Sequence, residues 1–144
     1  MGFDGVATRQ IQVPPSGPIA VRPARSEDVP LIFENIGYWA GQGRMLVRPM
    51  QNIFENLRDF FVAEIITPDG PRFAGNGALH ILWGDIAEVR GLAVAPEVRA
   101  TGVGRALVAA TEVEARRVGI PVLFAWTYEV GFFERCGFTL IDKT

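Results

Sequence analysis

Cysteine, histidine and lysine are almost missing from this chain of 144 residues: Cys136, His80 and Lys143 are the only ones. A single cysteine excludes an intrachain disulfide and makes a reducing cytoplasm the simplest setting. One histidine and one cysteine cannot build the usual nitrogen and sulfur cage, so no metal is expected. No apolar run is long enough to span a membrane. Residues 1–18 carry Asp4 and Arg9 and lack the apolar stretch of a signal peptide. A net charge of −2 gives no broad basic surface, so nucleic acid is not an expected partner. What is present is globular: hydrophobic residues make up 49% and charged residues 21%, enough for one domain with one substantial core.

Residues 1–18 end in Pro14-Pro15-Ser16-Gly17-Pro18 and read as a flexible arm before a single domain over 19–144. Ile19–Arg22 is a short strand. Ser26 is placed to cap a helix, with Glu27 and Asp28 in its first turn, and Val29, Ile32, Phe33 and Ile36 follow at helical spacing. Gly41 and Gly43 break it, and Pro49 opens a second helix with Met50, Ile53, Phe54 and Leu57 on its apolar face. The period then changes to that of strands over Phe60–Ile66, Phe73–Leu82 and Ile86–Val94, with turns at Pro68-Asp69-Gly70 and Gly84-Asp85. A helix with Leu107, Val108, Thr111, Ala115 and Val118 on one side ends at Gly119. A strand over Val122–Thr127, a short helix around Val130–Arg135 and a last strand from Phe138–Ile141 complete an α/β layered order, β-α-α-β-β-β-α-β-α-β.

The segment with the most chemical content is Arg99-Ala100-Thr101-Gly102-Val103-Gly104, directly after a strand and directly before a helix. A helix N-terminus offers free N–H groups and a partial positive charge, and glycine lets the backbone approach a phosphate without a Cβ in the way. Arg99 and Arg105 add full charges. The spacing fits neither the Walker lysine loop nor the dinucleotide GxGxxG pattern. It reads as an anion cradle.

Arg99-x-x-Gly102-x-Gly104 after a strand resembles the acyl-CoA signature of the GNAT superfamily of N-acyltransferases. The resemblance covers about residues 19–142 and extends to Gly119-Ile120-Pro121-Val122-Leu123-Phe124 and to Phe132-Phe133-Glu134-Arg135-Cys136-Gly137-Phe138. It implies a mixed, mostly antiparallel sheet, flanked by helices and splayed after Ala93-Val94, with the acetyl-pantetheine arm of acetyl-CoA in the gap. It also implies that Leu92, Ala93 and Val94 bond that arm, that residues 99–105 (Arg99, Ala100, Thr101, Gly102, Val103, Gly104, Arg105) hold the pyrophosphate, and that Phe132, Phe133 and Arg135 belong to the same binding region. An acceptor amine would attack the thioester directly, so positioned donors and held reactants are the expected sources of rate. Cys136 reads as a packing residue. Where many members of the family place a tyrosine acid, this chain has Phe133.

A sharper resemblance is to the acetyltransferase part of N-acetylglutamate synthases, including short stand-alone forms. It rests on Gly43-Arg44-Met45-Leu46-Val47-Arg48-Pro49, on Leu57-Arg58-Asp59-Phe60, on the run from Ala78 to Val94, and on Ala125-Trp126-Thr127-Tyr128. It implies acetylation of the α-amine of L-glutamate, in arginine biosynthesis, with Arg48, Arg90 and Thr127 on the substrate. Arginine forks suit carboxylates. Arg90 sits mid-strand, where a charge needs an anion or a wet cleft; a substrate carboxylate or an ion pair with Glu88 or Glu64 would each serve. Glu88 points to the same side of its strand as Arg90 and is the candidate general base; a structural partnership with Arg90 is its other reading. Tyr128 is a candidate acid for the leaving thiolate, and His80 a second base or a packing residue. The last strand of the family fold lies beyond Thr144, which leaves a sheet edge to be exposed or paired, as in a homodimer. Another small amine, a protein N-terminus, or a non-catalytic acetyl-CoA sensor are the alternative readings.

Overall fold

The computed structural model describes residues 2, 4–7, 17–98 and 102–141. Its five-stranded sheet has the order β1-β2-β3-β4-β5. The strands are β1 (Ile19–Pro23), β2 (Phe60–Thr67), β3 (Gly70–Trp83), β4 (Ile86–Val94) and β5 (Val122–Phe124). The first four are antiparallel neighbours, and β5 runs parallel to β4. Such a parallel pair needs a crossover, which the helix α3 (Val103–Val118) supplies on one face. The short α4 (Val130–Arg135) follows β5 and packs on that face. The other face carries α1 (Val29–Gly41) and the six-residue α2 (Met50–Glu55).

The strand periodicity determines this division. Phe60, Val62, Ala78 and Ala93 point to the α1 side and pack with Val29, Ile32, Ile36 and Ile53. Ala63, Ile65, Val103 and Leu107 form the core on the α3 side, continued by Leu79, Ala87 and Ala115. Gly119 ends α3 in the left-handed conformation that its position requires.

Several expectations shift. Phe33 on α1 and Met50 and Phe54 on α2, read as apolar-face residues, are exposed; the six-residue α2 buries only Ile53. Val118 also lies in solvent at the end of α3. Ser26 makes no cap: Asp28 accepts the Arg25 N–H at 2.7 Å and stands with Glu64 around the Arg22 guanidinium. Strand β5 stops at Phe124 and does not reach Thr127. Residues 138–141 form no strand, and they pair with none of the five strands. Residues 8–16 of the expected arm, Arg99, Ala100 and Thr101 of the glycine loop, and Asp142 and Lys143 lie outside the described residues.

Candidate active site

Strand β4 carries the site. Its ladder with β5 covers only Ile86–Glu88, paired with Val122–Phe124, so the gap expected after Val94 already opens after Glu88. Next comes a bulge. Ala78 pairs with Arg90 and Asn76 with Ala93, so Gly91 and Leu92 together face the single residue Gly77. Gly91 has φ +61, and a Cβ there would lie 3.3 Å from Arg48 Nη1 and 3.4 Å from the Phe60 ring. The extra residue resets the alternation. Ala87 and Val89 face α3, but so do Leu92 and Val94, while Ala93 turns to α1.

Two buried asparagines brace this bulge from β3 and α1. Asn76 Nδ2 donates to the Gly91 carbonyl at 2.8 Å. Asn35 Nδ2 donates to Asn76 Oδ1 at 3.0 Å and to the Ala93 carbonyl at 2.9 Å. Trp39 Nε1 donates to the Val94 carbonyl at 2.8 Å. Sequence reading missed all three. The available signal was a pair of polar side chains at positions whose periodicity is otherwise apolar.

On the α1 side of the sheet, charged groups gather over Phe60. Glu88 and Arg90 do share a side: Arg90 Nη2 donates to Glu88 Oε1 at 2.8 Å, and the Glu88 carboxylate is nearly buried. The ion-pair reading of Arg90 therefore describes its contact here, and Glu64 is taken by Arg22 instead. His80 lies directly across the ladder from Glu88 and meets Asp59 at 3.1 Å. Arg48 reaches in from the 43–49 loop. Its Nε donates to Asn52 Oδ1 at 2.9 Å, and its guanidinium lies 5.0 Å from the Phe60 ring centroid. Nη1 is buried and has no hydrogen-bond partner among the described residues. Burial pushes the Arg48 pKa down, and repulsion from Arg90 adds to this against partial compensation by Asp59 and Glu88.

The remaining candidates sit around this centre. Thr127 Oγ1 accepts the Glu129 N–H at 2.7 Å, and Tyr128 is exposed on the same loop. Arg44 meets Glu129 at 3.5 Å, which ties that loop to the one bearing Arg48. The segment read as an anion cradle leads into α3. Gly102 precedes it at φ +88, and by helix geometry the first-turn N–H groups have no partner within the helix. Val103 itself packs in the core, so only its backbone is available to a ligand. Arg105 Nη2 donates to the Arg135 carbonyl at 2.6 Å and stands between α3 and α4. Phe132 packs against Gly104, where a Cβ would come within 3.1 Å of its ring. Phe133 is buried between Val89 and Val108, and Cys136 is partly buried beside it. A gap along one strand edge, ending at the start of a sixteen-residue helix, fits a long ligand with an anionic end. Among the described residues no group of three or more His, Cys, Asp or Glu could hold a metal ion, and no helix is long and apolar enough to cross a membrane.

The model of the acetyltransferase (GNAT) family matches residues 32–138, more than half of the chain. The chain belongs to the GNAT family. It is an acetyl-CoA-dependent acetyltransferase with the open α/β sheet of that fold. It is 38% identical over 124 residues to an amino-acid acetyltransferase of Mycobacterium tuberculosis, spanning 86% of this chain and 70% of that one. A Mycobacterium tuberculosis crystal structure in complex with CoA superposes with a TM-score of 0.81 at 38% identity, covering 87% of this chain and 74% of that one. The N-acetylglutamate synthase of Neisseria gonorrhoeae, complexed with coenzyme A and N-acetyl-glutamate, superposes with a TM-score of 0.74 at 28% identity; 83% of this chain matches 28% of that one.

Proposed function

We propose that this acetyltransferase acts on the α-amine of an amino acid, L-glutamate before others, with a substrate carboxylate on Arg48. One observation carries the reading: a buried guanidinium nitrogen, Arg48 Nη1, has no partner among the described residues. Leaving such a group unsatisfied costs on the order of 1–3 kcal/mol, which a bidentate carboxylate would offset. A second cation, Arg90, lies close enough to depress the Arg48 pKa, so the pair favours an anion over a cationic amine. The Arg44–Glu129 pair draws an otherwise repulsive carboxylate to the rim of the site. Names of similar proteins support the same class, an amino-acid acetyltransferase and an N-acetylglutamate synthase.

In this reading Glu88, oriented by its ion pair with Arg90, takes the proton of the acceptor ammonium directly or through water. His80, supported by Asp59, is the second group able to receive it. Thr127 and Tyr128 edge the acceptor site. The amides of residues 102–105, with Arg99, Ala100 and Thr101 before them, receive the pyrophosphate, and Leu92, Ala93 and Val94 receive the pantetheine arm. Phe132, Phe133 and Arg135 shape the wall between α3 and α4. Acetyl-CoA supplies the acyl group.

The test is thiol release from acetyl-CoA with L-glutamate, aspartate, glutamine, lysine and a cationic antibiotic as separate acceptors. Turnover with glutamate, weakened on replacing Arg48, is the expected result. Turnover confined to the cationic amines would overturn the carboxylate reading and leave the family assignment intact.

A further inference from the structure

A trans peptide unit is flat, with its C=O and N–H pointing in opposite directions, and the described chain has no cis peptide bond. Asn76 Nδ2 holds the Gly91 carbonyl from the β3 side, so the Leu92 N–H of the same unit points away from β3. The Ala93 carbonyl, which Asn35 Nδ2 holds, also lies toward β3, 2.8 Å from where a Cβ on Gly75 would be, so the Val94 N–H points the same way. Both N–H groups therefore face the edge of β4 that β5 has left, since the ladder with β5 ends at Glu88.

We propose that Asn35 and Asn76 are positioning residues of the transfer reaction: from behind the sheet they fix two peptide planes so that the Leu92 N–H faces the thioester of a bound acyl-CoA and the Val94 N–H faces the groove beside it. The inference rests on the acyl-CoA reading of the gap. Three features of the pair support it. A β-bulge breaks the ladder and by itself leaves the Gly91 peptide free to rotate. Asn76 is fully buried and both ends of its amide are used, with Oδ1 accepting from Asn35 and Nδ2 donating to Gly91. The Asn35 amide is also buried and spends both hydrogens on this network, leaving its own Oδ1 without a partner. An apolar pair would fill the same core without that cost, so packing alone does not account for the two amides. Donors aimed in advance at a carbonyl that gains charge need not reorganise during reaction, and that is where such a brace acts.

The decisive experiment reads the thioester carbonyl itself, needs no acceptor, and uses the full chain. Acetyl-CoA labelled with carbon-13 at the carbonyl is bound to the protein, and its carbonyl stretch is recorded by difference infrared spectroscopy. The wild type is expected to shift the stretch to lower frequency than in free acetyl-CoA. Asn76→Asp keeps the size but removes the donor to Gly91, and Asn35→Ala removes the donor to Ala93. Each is expected to lose most of the shift while binding CoA without its acetyl group within about threefold of wild type. Should Asn76→Asp fail to fold, Asn76→Ser, which retains a donor hydroxyl too short to reach Gly91, takes its place. A full downshift in the folded variants would overturn the proposal, because a merely structural role lowers the melting temperature and leaves the carbonyl unchanged. Wild-type binding without a downshift would overturn it as well. Failure of the wild type to bind acetyl-CoA would overturn the acyl-CoA reading of the gap together with it.

Discussion

Arg48 holds a positive charge in a place where the protein answers only part of it. Its Nε has Asn52 and its face has Phe60, but Nη1 is buried and unanswered. Such a residue trades stability for binding, since an under-compensated buried charge is a net cost in the empty protein. Arg48→Met should therefore leave the melting temperature unchanged or raise it. The same variant should raise KM for glutamate roughly 10- to 100-fold, the worth of one or two hydrogen bonds to a charged group, with KM for acetyl-CoA unchanged. Steady-state kinetics beside thermal melts check both halves. Glu88→Gln tests the proton path: kcat should fall about 100-fold at unchanged KM for acetyl-CoA. A smaller loss would move the role to His80, which faces Glu88 across the ladder and has Asp59 behind it.

At the scale of elements, the proposed ligand groove depends on the bulge in β4 and on the start of α3. Gly91 sits at φ +61 under the Arg48 guanidinium, so Gly91→Ala meets strain of about 1–2 kcal/mol as well as the 3.3 Å contact. Relief of that contact displaces Arg48, so the variant should combine a lower melting temperature with a higher KM for glutamate. The other end of the groove depends on Gly102, which holds φ +88 at the entry of α3. Gly102→Val places a β-branched side chain in that left-handed conformation and should weaken CoA binding tenfold or more, measured by calorimetry. Helix α4 contributes by contact. Phe132 lies on Gly104 and Phe133 fills the core beneath, so the aromatic pair sets how closely α4 approaches α3.

Across the whole molecule, β1, the entry to α1 and β2 are joined by one ion cluster. Arg22 bonds Asp28 at 2.7 Å and Glu64 at 3.1 Å. The Arg22 hydrogen bonds hold the Asp28 carboxyl below the usual carboxylate range, against the opposing effect of burial. A carboxyl with a depressed folded pKa contributes stability that is present above its unfolded value, about 3.9, and lost as the pH falls through the lower folded value. Denaturant unfolding across pH should show this as a decline that begins near pH 4. In Asp28→Asn the stability should be lower at neutral pH, and its curve should meet that of wild type at the acid end.

The order and type of the elements were legible in the sequence because alternation and helical spacing are local. Phe60–Thr67, Ile86–Val94 and Val130–Arg135 formed where the pattern placed them, and β4 and α4 did so to the residue. The family was legible for the same reason: a strand, two glycines and a helix lie next to one another in the chain. Where strands end was not legible, because a strand exists only beside a partner: β5 leaves β4 after Phe124, and residues 138–141 pair with none of the five strands. The bulge at Gly91 was hidden as well, since register is a relation between two strands. It decides that Ala93 faces α1 and that Glu88 and Arg90 stand with Arg48. Asn35 and Asn76 are 41 residues apart and mean little separately. Only the tertiary structure brings two amides to one bulge, because a buried polar group must find its partner wherever the fold puts one.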